Sequence, residues 1–395
     1  MSDSVFGALT SKVSSVAAYF GGSSPPQERP DPEAEARARE AAAAQKDATK
    51  VGKFSQLMHS GAYDLTDLRA LLWSGAPFCD LRIRAEAWRL ALGYLPVNLD
   101  FQEQGLARKR REYADLRAEF YDSLVARGDE PKLLHQIRID IPRTVPVSPV
   151  FTHPKIQALM ERSLLIWSIR NPASSYVQGI NDLMTPLIMV FLASELAATS
   201  YDEVHVDQAS DEMLDRVEAD TYWCLTKILS DIQDHYTFGQ PGIQRMISTM
   251  KDIVRRIDPD LYTHLDTVGC DFMHLSFRYV NCLLLREMPF MWMNCLLLRE
   301  MPLISAIRLW DAYIAEPSEG FSTFHVYICA CFLVYWSPQL REMDLQDLLL
   351  YIQEFPTKQW GTQEIETLLA EAYVMKSLFH QAQRHFTDGS SPSKS

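Results

Sequence analysis

From residue 53 onward, apolar residues recur at intervals of three and four, with almost no two-residue alternation. That spacing stacks them on one face of a helix and excludes most sheet architectures. "YDLTDLRALLWSG" shows the pattern and ends on Gly75, a helix-stop signal. "AEAWRLALGYL", "KIQALMERSLLIWSI", "DTYWCLTKILSDIQ", "IQRMISTMKDIVRRI" and "IETLLAEAYVMKSLFHQAQRHF" repeat it. The one strand-like alternation, "IRIDI", is cut off at once by Pro142. "LIMVFLASELAA" is apolar throughout but falls short of the roughly 18 residues of a membrane span, so it predicts a core helix. The acidic stretch "SYDEVHVDQASDEM" is expected to be a surface connection between two helices. The sequence therefore predicts an all-α, multi-helix domain over residues 53–386.

The flanks differ in composition. Residues 1–52 are Gly/Ser/Pro-rich and then Ala/charge-rich, and are expected to be flexible. Within them Asp31 and Pro32 could start a lone helix without an apolar face. Leu9, Val13, Val16 and Phe20 fall at helical spacing, although plain disorder is the simpler expectation there. Residues 387–395, "TDGSSPSKS", are expected to be a disordered tail.

Inside the helical region one segment is duplicated. "FRYVNCLLLREMP" (277–289) is followed directly by "FMWMNCLLLREMP" (290–302), identical at ten of thirteen positions. Thirteen residues would turn a continuous helix by about 220°, so both copies cannot present one face to the core. Pro289 provides a break. A tandem duplication or a sequence error explains the pair better than a solenoid, which needs three or more units.

Charge and motif content exclude several functions. A formal net charge of -13 argues against nucleic acid and against adhesion to anionic lipid through bulk charge. Seven cysteines without a CxxC pair, and no secretory signal, point to a reduced interior and a cytoplasmic setting. Cys329 and Cys331, one helical turn beyond His325, read as buried thiols, and the histidines show no metal-ligand spacing. There is no GxxxxGK[ST], HExxH, GxSxG or kinase signature set, so the chain has no nucleotide site or hydrolase centre of its own.

Two polar clusters remain. Arg143 sits among Pro142, Pro146 and Pro149, which keep the stretch irregular, and irregular surface segments often carry function. Asp140, three residues earlier, could orient its guanidinium. Tyr176, Gln178, Gly179, Asn181 and Asp182 gather where an apolar helix begins. An exposed Arg and an exposed Gln suit phosphoryl transfer: the Arg neutralises charge on the phosphates and the Gln positions water. With no nucleotide site here, the nucleotide would arrive on another protein. The same residues also admit a plainer reading, a surface Asp140–Arg143 pair and a Gln178 that only caps a helix. From the residues alone both stand.

"IRIDIPR" has the form IxxDxxR and "YVQG" the form YxQ, in that order and about 35 residues apart. In this the chain resembles the TBC domain of GTPase-activating proteins for Rab GTPases. "WSGAP" with "RAEAWRLALGYLPVN", "EADTYWCLTKIL", "RLWDAY" and "LLAEAY" are similar to further family segments, although the gap from Pro77 to Arg84 is longer than usual. "ASSYVQGINDL", "DHYTFGQPGIQ" and "EPSEGFSTFHVYICA" read like one subgroup of that family. The resemblance implies a GTPase activator that uses Arg143 and Gln178 as an arginine and a glutamine finger. Asp140 would orient Arg143. Tyr176, Asn181 and Asp182 would build the loop or touch the GTPase, and Arg84 would form a buried ion pair or a surface contact. Trp88, Trp310 and Asp311 match family positions, and the two tryptophans read as packing. The partner implied is a GTP-bound Rab that brings its own Mg²⁺ and GTP, with a Golgi or membrane adaptor as a further candidate. The setting implied is the cytoplasm or the periphery of endomembranes, in vesicle trafficking. The alternative is a non-catalytic helical scaffold that binds a Rab or an adaptor. The family has one helix where this chain has two copies: Arg278 survives in the first, and Met291 replaces it in the second.

Overall fold

The structure, a computed structural model, describes residues 32–60, 64–128, 131–270, 272, 297–298, 301–316, 320–352 and 355–387. The expectations for Leu9, Val13, Val16 and Phe20, for the C-terminal tail after Thr387 and for nearly all of the duplicated segment lie outside those residues. Among the described residues every regular element is helical.

The chain divides into residues 1–46 and 47–395. In the first unit, residues 32–46 are helical and belong to α1 (Pro32–Met58). The second unit begins at Asp47. The reason is local. The Asp47 carboxylate accepts from the backbone N–H groups of Phe78 and Cys79 at 2.8 and 2.7 Å, and Phe54 and Met58 are buried.

The scaffold of the second unit is built around α7 (Ile180–Glu195), after α2 (Leu65–Trp73), α3 (Leu81–Ala91), α4 (Gln102–Arg117), α5 (Lys132–Asp140) and α6 (Pro154–Arg170). All residues of α7 from Ile180 to Ala193 are buried, as an all-round apolar helix requires. It packs against α3, α6, α8 (Asp211–Asp231) and α10 (Leu303–Ala315). Helix α9 (Pro241–Ile257) packs on α11 (His325–Tyr335), which also meets α12 (Thr362–Thr387).

Two sequence expectations need correction. "IRIDI" is not strand-like: it closes helix α5, because Leu134, Ile137 and Ile141 share a helical face and are buried while Ile139 is left outside. "SYDEVHVDQASDEM" is not simply a surface connection. It forms two 3₁₀ turns, Tyr201–Glu203 and Val206–Gln208, before α8 begins, and Tyr201, Val204, Val206 and Ala209 point into the core. Its acidic residues face out, together with His205, Gln208 and Ser210, and they masked the apolar ones.

Cys329 and Cys331 are buried in α11, and burial pushes the Cys331 thiol up to about 12 and that of Cys329 well above the usual range. The His325 ring between them and α10 meets Tyr313 Oη at 2.7 Å and Cys329 Sγ at 3.3 Å. These are packed, unreactive thiols.

Gly75 ends α2 with φ +85°, and a Cβ there would lie 2.6 Å from Arg308 Nε. Arg308 cannot yield, because Glu366 and the Trp73 carbonyl hold it. Gly75→Ala is therefore expected to destabilise the fold by roughly 1–3 kcal/mol. Chemical denaturation would show it as a lowered midpoint, and an unchanged midpoint would refute the close approach.

Candidate functional site

Helix α5 is anchored before it reaches the candidate site. The Arg138 guanidinium donates to Glu161 on α6 at 2.9 and 2.8 Å, and the Tyr121 hydroxyl donates to the same carboxylate at 2.6 Å. The helix ends at Asp140 because Pro142 follows, and residues Ile141–Arg143 continue as one 3₁₀ turn. Arg143 thus leaves the scaffold on a short, proline-stiffened turn. Its side chain is 42% exposed, and its NH1 lies 4.0 Å from Asp140 Oδ1. A pair this open stabilises little, but it biases where the guanidinium points. Asp140 itself is buried.

Gln178 is exposed on the loop between α6 and α7. Gly179 has φ +108° and starts α7, so the turn requires a residue without Cβ strain. Positive φ also occurs at Ser175 (+53°) and at Val145 (+44°). For a β-branched residue such as Val145 this is an unfavourable conformation, held only because its surroundings fix it. Unusual backbone therefore brackets Gln178 and directly follows the Arg143 turn.

A buried hydrogen-bond ring joins the two segments. The Tyr176 hydroxyl lies 3.1 Å from both Asp140 Oδ2 and Asn181 Oδ1, and its single proton can serve one of them at a time. Asn181 Oδ1 also accepts from the Gly179 N–H at 3.0 Å. Asn181 Nδ2 donates to Thr144 Oγ1 at 2.7 Å, and that hydroxyl donates to the Asp140 carbonyl at 3.2 Å. Asp140, Tyr176 and Asn181 are thus brought together inside, while Arg143 and Gln178 project outward from the same pair of segments. Asp182 is buried in the first turn of α7, where the helix N-terminus favours a carboxylate.

Arg84 lies elsewhere. It is wholly buried, with Nε 3.1 Å from Asp311 Oδ1, NH1 2.8 Å from Tyr201 Oη and NH2 2.9 Å from the Ala76 carbonyl. Of its two sequence readings, the structure places it in the buried ion pair. Trp88 and Trp310 are buried beside it, with ring centroids 6.0 Å apart.

Sequence reasoning passed over Thr144, and it matched Asp311 to a family position without finding its partner. Thr144 gave no signal beyond standing next to Arg143. Asp311 was visible within "RLWDAY", but its partner lies 227 residues away in sequence. Chemically, the site offers an exposed cation and an exposed amide on adjoining segments. Such a pair can neutralise phosphate oxygens and hydrogen-bond a water.

The chain matches the Rab-GTPase-TBC domain family model over residues 81–291, a span that holds both exposed side chains and ends just inside the second copy of the duplicated segment. It is 44% identical over 341 residues to human TBC1 domain family member 22B, which covers 86% of this chain and 63% of the relative. It is 41% identical over 345 residues to the GTPase-activating protein gyp1 of Schizosaccharomyces pombe, with 85% and 63% covered. The chain therefore spans less than two thirds of the length of these relatives. Among solved structures, the Ypt/Rab-GAP domain of Gyp1p superposes with a TM-score of 0.75 at 40% identity, covering 84% of this chain and 99% of that one.

Proposed function

This chain belongs to the Rab-GTPase-TBC domain family, and from that premise we propose that it accelerates GTP hydrolysis by a Rab-type GTPase. The observation that carries this reading is the buried ring of Asp140, Tyr176, Asn181 and Thr144, which ties together the two segments that expose Arg143 and Gln178. In the proposed mechanism the Rab brings Mg²⁺ and GTP. Arg143 reaches the phosphates, where its guanidinium stabilises charge on the oxygens around the breaking bond. Gln178 orients the attacking water through its amide. Asp140 keeps Arg143 pointed outward. No covalent bond forms to this chain.

Such an activity would switch Rab proteins off and so act in vesicle trafficking, at the cytoplasmic side of the Golgi or other endomembranes, with an adaptor as an added partner. Among the described residues no helix is long and apolar enough to cross a membrane.

The test is single-turnover GTP hydrolysis across a panel of GTP-loaded Rab proteins. Acceleration of at least one by about 10³-fold or more is expected. Binding without acceleration by any of them would favour the scaffold reading instead.

Tyr176→Phe probes the ring more gently. It keeps the ring packing and removes one hydroxyl, so a stability loss of about 1 kcal/mol is expected. Hydrolysis should slow roughly tenfold, because the loop that carries Gln178 is less well fixed. Unchanged rates would show that this hydroxyl does not position the loop.

A further inference from the structure

Thr144 is only 1% exposed, yet its hydroxyl is fully used. Its proton goes to the carbonyl of Asp140, inside its own turn, at 3.2 Å. Its lone pair accepts from Asn181 Nδ2, on the other segment, at 2.7 Å. Within the ring this bond joins the residue directly after Arg143 to α7. The bond also sets the direction of the Asn181 amide. With Nδ2 on Thr144, Oδ1 must face the Gly179 N–H, which it accepts at 3.0 Å. Gly179 is the residue after Gln178, and its φ of +108° is the bend that turns Gln178 outward. On the other side, Val145 at φ +44° holds a conformation that a free β-branched residue would leave. The hydroxyl therefore bonds back into its own turn at the Asp140 carbonyl and, through the Asn181 amide, is linked to the Gly179 N–H.

Resting on the functional reading above, we propose that Thr144 is a positioning residue that locks the Arg143 turn to the Gln178 loop, so that the two side chains meet one GTPase as a preset pair. It touches neither phosphate nor water. It acts through Asn181 on one side and through the Asp140 carbonyl on the other. A methyl in place of the hydroxyl can do neither, and it leaves the Asn181 amide without its acceptor. A serine can do both.

The experiment compares Thr144→Val and Thr144→Ser in the full chain, each alone and each combined with Gln178→Ala. For a Rab that the wild type accelerates, Thr144→Val is expected to lower kcat about 10²-fold, the effect of a misplaced catalytic group, with KM changed less than about threefold. Thr144→Ser is expected to restore most of the rate. In the Gln178→Ala background, where there is no pair left to align, the valine should slow the reaction far less than it does in the wild type. Full activity of Thr144→Val, or equal loss with Thr144→Ser, or additive losses in the double variant would overturn the proposal. Amide hydrogen exchange over residues 176–181 gives a readout that needs no GTPase. Faster exchange in the valine variant only is expected, and unchanged exchange would refute the lock. If no Rab is accelerated by the wild type, the functional reading fails, and exchange still decides whether Thr144 holds the two segments together.

Discussion

Arg143→Ala is expected to remove most of the acceleration of GTP hydrolysis while leaving the fold intact. The side chain is 42% exposed and its one ion-pair partner among the described residues is Asp140 at 4.0 Å, so its removal opens no cavity and strands no buried donor. Stability should change by less than about 0.5 kcal/mol, as for an ordinary surface substitution. The chemistry should not be spared. An arginine supplied by a separate protein contributes roughly 10³–10⁵ in rate to this kind of reaction. That factor corresponds to about 4–7 kcal/mol of transition-state stabilisation. KM for the Rab should move little, because the interaction strengthens only as charge builds on the phosphate oxygens. Arg143→Lys should recover only a small part, since an ammonium lacks the planar fork that meets two oxygens at once. Gln178→Ala should also slow hydrolysis severely, because water would lose its orienting amide. Single-turnover rates and thermal midpoints, measured on the same preparations, separate the two roles. Wild-type acceleration in Arg143→Ala would end the finger assignment.

How far this site was legible in the sequence depends on whether each interaction is local. The helices were legible because apolar spacing alone specifies the buried face, and α7 follows from a run in which nearly every residue is apolar. Arg143 and Gln178 were legible because prolines and a glycine mark the irregular segments that carry them. What could not be read was the pairing between those segments. Nothing in "IPRT" states that its threonine will meet Asn181, thirty-seven residues on. Nor could spacing place Arg84 against Asp311 across most of the domain. The misread stretches fail for a related reason. In "IRIDI", isoleucines at every second position satisfy strand and helix patterns alike, and only Leu134 upstream decides for the helix. In "SYDEVHVDQASDEM", charge outnumbers the apolar residues that fix the segment to the core.

The same long-range ion pair supports the largest stability prediction. Asp311→Ala is expected to destabilise the protein by about 3–5 kcal/mol, the range for breaking a buried pair from one side. The magnitude follows from what the carboxylate serves. Oδ1 accepts from Arg84 Nε at 3.1 Å and from Trp88 Nε1 at 2.8 Å, and Oδ2 accepts from the Ala76 N–H at 3.0 Å. Both side chains of the pair are 0% exposed, so water cannot replace the lost acceptor. Arg84 retains the Tyr201 hydroxyl and the Ala76 carbonyl, but neither carries a compensating charge. A loss of this size is a large share of the roughly 5–15 kcal/mol that holds a typical domain folded. Removing the arginine as well should recover part of it: Arg84→Leu with Asp311→Leu should be more stable than the sum of the single changes implies. Urea denaturation of the two single variants and the double variant measures this coupling directly. At temperatures where Asp311→Ala remains folded, any acceleration of a Rab should persist, because Arg84 and Asp311 belong to the core and not to the surface that exposes Arg143 and Gln178. A loss below about 1 kcal/mol would mean that water reaches the pair. A folded Asp311→Ala without activity would instead connect this core to the fingers.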